Sequence, residues 1–145
     1  MTDEVILLSC NLDDMTPEDI GYAMELLLNA GALDVWTSPI GMKKNRPGVM
    51  LSVLCRQADE ARFTSLLFRH TTTLGIRRAV HTRYLLRRDF STVQTPWGPV
   101  RMKQAGENLK PEYEDIKAIA EKTGLPISQI RLAAIAEYQK ENVHD

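Results

Sequence analysis

The sequence of 145 residues has few of the side chains that build metal clusters or disulfide frameworks. It contains two cysteines, Cys10 and Cys55, which stand 45 residues apart, and three widely separated histidines. This spacing excludes a C-x-x-C redox motif and does not match a zinc-ligand array. The acidic start MTDEVILLS shows no export signal. We therefore expect both thiols to stay free in a reducing cytoplasm.

Long apolar runs and the common nucleotide-binding loops are absent as well. The longest apolar segments contain four or five residues, whereas a membrane helix needs about 20. Neither G-x-x-x-x-G-K-[ST] nor G-x-G-x-x-G occurs, which excludes the two commonest glycine-rich phosphate cradles. Apolar residues make up 43% and charged residues 26% of the chain. This composition is typical of a globular domain that folds without a disulfide or a metal.

Charge is distributed unevenly, although the net charge is only −1. Residues 1–42 hold eight acidic side chains and no Lys or Arg. Residues 43–103 hold thirteen basic and three acidic side chains, and residues 104–145 hold five basic and eight acidic ones. A strongly basic block inside a nearly neutral protein indicates an anionic ligand, either compact or polymeric.

Apolar periodicity predicts an α+β fold in two parts. Period two indicates strands and period 3.6 indicates helices. Over residues 1–88 the predicted strands are 5–12, 32–40, 49–56 and 76–88, and the predicted helices are 17–30 and 58–73. This order is β-α-β-β-α-β, which predicts a ferredoxin-like subdomain. Residues 89–145 are predicted to form an appendage, with a β-hairpin at 90–95 and 100–104 and two C-terminal helices at 111–123 and 127–141.

An acidic pair, Asp13 and Asp14, follows the first predicted strand and precedes the helix that Thr16 caps. One interpretation is turn chemistry and a favourable interaction with the helix dipole. The other is a divalent metal site, because Mg²⁺ and Mn²⁺ bind nucleotide phosphates through only one or two carboxylates.

Two basic segments have the composition of anion sites. Lys43, Lys44 and Arg46 lie in the turn KKNR, which is either a solvated hairpin tip or a phosphate clamp. In the segment HTTTLGIRR, hydroxyls and arginines meet at a helix-to-strand junction. Either they bind an anion, or the threonines cap the helix and the arginines lie in solvent. The candidates of this segment are Thr72, Thr73, Arg77 and Arg78.

Residues 119–138 have the spacing of a helix-turn-helix. Residues 104–145 are net acidic, however, and phosphate attraction dominates affinity for DNA. The segment is therefore predicted to pack as ordinary helices rather than to bind nucleic acid.

Several segments together resemble the C-terminal part of the nickel insertion protein (LarC) family. The longest is NLDDMTPEDIGYAMELLLNAGALDVWTSPIGMKKNRPGVMLSVLC, and TTTLGIRR, PWGPVRMK and NLKPEYEDIKAIAEKTGLPISQI agree as well. The family takes part in making the nickel-pincer nucleotide, the cofactor of lactate racemase. The resemblance covers nearly all of the chain.

The resemblance implies a cyclometallase activity. Nickel, as a substrate ion, is inserted into pyridinium-3,5-bisthiocarboxylic acid mononucleotide while CTP is hydrolysed to CMP and pyrophosphate. The C-terminal part of the family is associated with binding CTP and Mg²⁺ or Mn²⁺, and with homo-oligomers, here expected to be a trimer or a hexamer. The N-terminal region of the same family is the expected partner, and no membrane is expected.

The basic block and the acidic pair fit this implied activity. Asp13 and Asp14 are the metal-side candidates, and the lysines, arginines and threonines named above are the phosphate-side candidates. Lys110 and Tyr113 of KPEYED are expected to add nucleotide contacts from the appendage. Two alternatives stay open: a nucleotide-sensing regulatory domain without turnover, and a nucleic-acid-binding module.

Overall fold

A computed structural model describes residues 1–143; His144 and Asp145 lie outside the described residues. The chain divides into two compact units. The first comprises Thr2–Tyr84, and the second comprises the residues from Leu85 onward together with Met1. This boundary lies four residues before the predicted one. None of the helices within residues 1–143 has the length and apolar character that crossing a membrane requires.

The first unit is a four-stranded antiparallel sheet with two helices. In chain order its elements are β1 (Thr2–Leu12), α1 (Pro17–Asn29), β2 (Asp34–Met42), β3 (Arg46–Arg56), α2 (Glu60–His70) and β4 (Arg77–Tyr84). The strand order is β2-β3-β1-β4, so the two central strands are those that each precede a helix. The predicted ferredoxin-like βαββαβ order is confirmed.

One face of this sheet forms the core of the unit. Ile6, Leu8 and Cys10 alternate along β1 and are at most 1% exposed. They lie in one cluster with Phe63 and Leu67 of α2. Each such side chain contributes roughly 1.5–3 kcal/mol by leaving water. The opposite sheet face carries no helix of this unit, because both helices supply side chains to the same cluster.

Helix α1 begins and ends where the sequence predicts. The hydroxyl of Thr16 accepts a hydrogen bond from the backbone N–H of Asp19 at 3.2 Å, and Pro17 occupies the first helical position. Gly31 follows the helix with φ of +98°, a left-handed conformation that glycine adopts without steric cost. The cap fixes the path of residues 13–16, and with it the position of the acidic pair beside the end of β1.

Helix α2 is shorter than the predicted 58–73. It is preceded by a 3₁₀ turn at Gln57–Asp59 and ends at His70. Thr71 is extended, with φ −128° and ψ 169°, and its hydroxyl donates to the carbonyl of Leu67 at 2.6 Å. The backbone N–H of Thr73 then bonds to the same hydroxyl at 3.3 Å. The threonine segment is therefore a bent loop rather than a last helical turn.

The second unit is a three-stranded antiparallel sheet covered by two helices. Its elements are β5 (Arg88–Thr95), β6 (Gly98–Ala105), β7 (Asn108–Pro111), α3 (Tyr113–Thr123) and α4 (Ile127–Glu141). The hairpin and both helices are confirmed, whereas β7 was not predicted. Ile130 and Ala134 of α4 are fully buried in the core of this unit. The helix thus packs on the sheet as predicted, and the expectation that it does not bind nucleic acid stays a prediction.

Candidate functional site

The site lies at the end of the first sheet where β1 ends and β3 and β4 begin. Leu12 of β1 pairs with Val49 of β3, and Ser9 pairs with Arg77 of β4. This antiparallel register brings the first residues of β3 and β4 level with the segment that leaves β1. Three stretches of chain, far apart in sequence, therefore contribute polar side chains to one end of the sheet.

Three polar contacts join these stretches. Arg46 Nη1 lies 3.4 Å from Asp13 Oδ2, and Arg77 Nη2 donates to Asn11 Oδ1 at 2.8 Å. The hydroxyl of Thr72 donates to the carboxylate of Asp14. We call this group the carboxylate–arginine cluster; it consists of Asn11, Asp13, Asp14, Arg46, Thr72 and Arg77.

The ion pair in this cluster is exposed and easily rearranged. The side chain of Arg46 is 60% exposed and that of Asp13 is 24% exposed. Exposed pairs contribute only about 0–1 kcal/mol, because water screens both charges. A ligand that offers a cation to the carboxylates and an anion to the guanidiniums can therefore replace the contact at little cost.

The β2–β3 hairpin tip holds two lysines beside the cluster in a strained turn. Lys44 and Asn45 have φ of 63° and 58°, and a left-handed lysine costs on the order of 1–2 kcal/mol. Lys43 and Lys44 are both exposed, and only Asn45 separates them from Arg46. Strain of this kind is often found where a loop binds a ligand.

Gly48 allows β3 to approach β1 closely behind this tip. A Cβ atom at Gly48 would lie 2.6 Å from Met42 Sδ and 2.9 Å from the carbonyl oxygen of Leu12. The second contact is with a backbone atom, which cannot move away by a change of rotamer as a side chain can. The close approach directs the start of β3, and therefore Arg46, towards Asp13.

The structure separates Arg78 from the cluster. Arg78 pairs with Leu8, which faces the helices, whereas its neighbour Arg77 pairs with Ser9 on the other sheet face. The Arg78 guanidinium donates to Glu60 of α2 through Nε and, at 3.2 Å, through Nη2. This pairing raises the pKa of Arg78. Because strand neighbours point to opposite faces, Arg78 points away from the face on which Arg77 joins the cluster.

Lys110 and Tyr113 belong to the second unit, where Lys110 lies on β7 and Tyr113 begins α3. Both side chains are exposed. Their role in nucleotide binding stays a prediction.

Cys10 is buried beneath the threonine loop. Burial raises the pKa of the thiol and is the largest influence on it, whereas Thr73 and Arg77 lower it. Cys55 is also free and buried, and burial again raises its pKa. Both thiols are therefore protonated near neutral pH, and the thiolate is the form that binds metals. Within residues 1–143 no three His, Cys, Asp or Glu side chains come together as a metal site.

Sequence reasoning did not identify two partners, Asn11 and Glu60. Asn11 is the exposed position between buried Cys10 and Leu12 at the end of a strand. The alternation of apolar and polar residues there could have identified it as a solvent-facing polar side chain. No sequence pattern singles out Glu60, because its contact with Arg78 depends on how α2 lies across the sheet.

These features define a class of protein: a ferredoxin-like unit with carboxylates and guanidiniums at its strand ends, followed by a smaller α+β unit. The family model described as "Nickel insertion protein" matches residues 1–131. The chain belongs to the nickel insertion protein family.

Relatives and a solved structure agree with this assignment. A putative nickel insertion protein of Cyanothece sp. is 46% identical over 94% of this chain and 34% of its own length. The pyridinium-3,5-bisthiocarboxylic acid mononucleotide nickel insertion protein of Acetivibrio thermocellus is 42% identical over 88% of this chain and 32% of its own. The chain thus spans about a third of the length of these relatives.

A solved structure covers the same region. It is LarC2, the C-terminal domain of a cyclometallase involved in the synthesis of the NPN cofactor of lactate racemase, in its apo form. It superposes with a TM-score of 0.87 at 38% identity and covers 96% of this chain and 99% of its own.

Proposed function

We propose that the carboxylate–arginine cluster binds CTP together with Mg²⁺ or Mn²⁺. In this proposal, the domain serves nickel insertion into pyridinium-3,5-bisthiocarboxylic acid mononucleotide. The observation that carries the proposal is the convergence of Asp13 and Asp14 with Arg46 and Arg77 at one strand end. A metal-bound triphosphate requires both kinds of charge at one place.

On the metal side, the two carboxylates supply one or two oxygen ligands. Mg²⁺ retains waters and takes its other ligands from phosphate oxygens, so a larger protein cluster is not required. Thr72 holds Asp14 through its hydroxyl. Asp13 now pairs with Arg46; if Asp13 held a metal instead, Arg46 would be free to bind phosphate.

On the phosphate side, Arg46 and Arg77 are the principal donors. A guanidinium binds phosphate oxygens through two parallel hydrogen bonds, which fixes orientation as well as charge. Lys43 and Lys44 at the hairpin tip add charge from a more hydrated position. Thr73 stands on the loop that carries Thr72, where its hydroxyl donates to the carbonyl of Gly75 at 2.7 Å.

The proposed chemistry is cleavage of CTP between its α- and β-phosphorus atoms, with water as the second reactant and CMP and pyrophosphate as products. Negative charge grows on the departing pyrophosphate, and positioned cations stabilise that charge more in the transition state than in the ground state. Nickel is a substrate ion in this scheme. Because both cysteines are buried and protonated, its sulfur ligands come from the thiocarboxylates of the mononucleotide.

Titration calorimetry with CTP and CMP, with and without Mn²⁺, tests the binding, and a pyrophosphate assay tests the turnover. We expect strong binding only for CTP with metal. Binding without pyrophosphate release would favour the nucleotide-sensing alternative for the isolated domain. Equal affinity for CTP and CMP would place the triphosphate elsewhere.

A further inference from the structure

The second unit has a basic sheet face that the CTP proposal does not use. In the β5-β6-β7 sheet, Val93 and Met102 face the helices and are at most 1% exposed. Because strand residues alternate between faces, the register places Phe90, Lys103 and Lys110 on the opposite face in one row across all three strands. We call the side without helices the outer face.

An exposed aromatic ring in this row is flanked by cations. Phe90 is 68% exposed. It lies directly opposite Lys103, and the Cβ atoms of such a cross-strand pair are about 4.5–5.5 Å apart. Arg88 lies two residues before Phe90 on the same face. In the part of the chain that the structure describes, Arg88, Lys103 and Lys110 form no ion pair. Arg88 and Lys110 are exposed, and Lys103 is half-buried. The charge of the two exposed side chains is therefore available to a ligand, and that of Lys103 in part.

A cavity of about 330 Å³ opens beside the ring. Phe90, Thr92, Arg101 and Glu112 are among its lining residues. Arg101 forms a bidentate ion pair with Asp115, to which its Nε and Nη2 atoms each donate at 2.9 Å. This contact fixes one wall of the cavity.

We infer that the outer face binds a pyridinium mononucleotide, which is the substrate class in the name of the Acetivibrio relative. The inference rests on the proposed function. A pyridinium ring is planar and cationic, so it is attracted to the face of Phe90 by both stacking and cation–π interaction. Its phosphate and its acidic ring substituents are anionic and match Lys103 and Lys110. One exposed ring flanked by cations is complementary to such a zwitterion.

Single-stranded nucleic acid uses similar chemistry, but it stacks successive bases on several aromatic side chains. Within β5, β6 and β7, Phe90 is the only aromatic residue. One ring suits one mononucleotide better than a polymer.

The test uses the whole chain and nicotinic acid mononucleotide, a pyridinium carboxylate with a ribose phosphate. We expect Phe90→Leu, which keeps the apolar bulk but removes the aromatic face, to weaken its binding about tenfold. Lys103→Gln should weaken it as well. Lys117→Gln, the same charge change at an exposed position of α3, is the matched control and should have no effect. Nicotinamide mononucleotide, which lacks the carboxylate, should bind more weakly than the acid.

The same variants separate this inference from the proposed function. Phe90→Leu and Lys103→Gln should keep wild-type affinity for CTP with Mn²⁺, and Arg77→Ala should keep wild-type affinity for the mononucleotide. If CTP binds as proposed but Phe90→Leu leaves mononucleotide binding unchanged, this inference fails and the proposed function stands. If mononucleotide binding depends on Phe90 but CTP does not bind at all, the outer-face site stands and the proposed CTP site fails. Displacement of the mononucleotide by micromolar oligothymidylate would overturn the inference in favour of nucleic acid.

Discussion

Arg46 Nη1 lies 3.4 Å from Asp13 Oδ2, although the two residues are 33 positions apart in the chain. Both stand at strand ends, Asp13 just after β1 and Arg46 at the first position of β3. In the proposed site, the metal would replace Arg46 beside Asp13, and a phosphate oxygen would replace Asp13 beside Arg46. The contact links the metal side and the phosphate side of the proposed site, so changes on one side have consequences for the other.

Removal of the acidic charges should reduce the benefit of metal. We expect Asp13→Asn and Asp14→Asn to diminish the gain in CTP affinity that Mn²⁺ brings, because a neutral amide binds a hard cation less well than a carboxylate. Calorimetry with and without Mn²⁺ measures this gain. Asp19→Asn, in the first turn of α1, is a matched control. A gain that is unchanged in both site variants would exclude these carboxylates from the metal site.

Gly48→Ala should destabilise the first unit by roughly 1–3 kcal/mol, because the added methyl group meets backbone at the end of β1. Gly21→Ala, within α1 and with no atom within 4 Å of the added carbon, should stabilise it by about 0.5–1 kcal/mol. Urea unfolding of both variants checks the pair. Equal stability of Gly48→Ala and wild type would mean that β3 and β1 have room for the added methyl group.

The Asp115–Arg101 contact should contribute stability that acid removes. Hydrogen bonding to Arg101 holds the pKa of Asp115 below its usual range. A depressed folded-state pKa gives stability above the unfolded pKa, and this stability is lost as the pH falls through the folded value. We expect the melting temperature of Asp115→Asn to fall less than that of wild type below about pH 4. If the melting temperatures of the two proteins fell by the same amount between pH 6 and pH 2.5, this assignment would be contradicted.

Copies of the chain should associate through the sheet face of the first unit that carries no helix of that unit. Trp36, at 36% exposure, and half-buried Leu7 and Leu54 lie on it, on three neighbouring strands. We expect light scattering to report a trimer or a hexamer. Trp36→Lys should shift this species towards monomer while the circular dichroism spectrum stays that of the wild type. A monomeric wild-type chain at micromolar concentration would reject the association.

Local sequence signals predicted most of the fold but only part of the site. Alternation along β1 and the cap at Thr16 are encoded by adjacent residues, and both were predicted correctly. Strand β7, four residues that include Lys110 and Pro111, has too little alternation to predict. The end of α2 depends on a hydrogen bond from the hydroxyl of Thr71 to the carbonyl of Leu67. Hydrophobic periodicity does not indicate such a bond.

The division between Arg77 and Arg78 shows why the rest of the site could not be predicted. The two residues are adjacent and chemically identical, so the sequence favoured both as phosphate ligands. Only the register of β4 on β1 assigns them to opposite faces. Contacts between distant strands decide such assignments, and they become visible only when the sheet is assembled.

The most direct test of the account is the CTP affinity of Arg77→Ala and Arg46→Ala in the presence of Mn²⁺. Loss of a charge-assisted hydrogen bond costs about 1.5–3 kcal/mol, which corresponds to roughly tenfold to a hundredfold in affinity. The matched control is Arg56→Ala, at the far end of β3 from the cluster. We predict that both site variants lose CTP affinity by this factor, with a smaller loss for CMP, and that the control matches wild type. Wild-type CTP affinity in both site variants would contradict it.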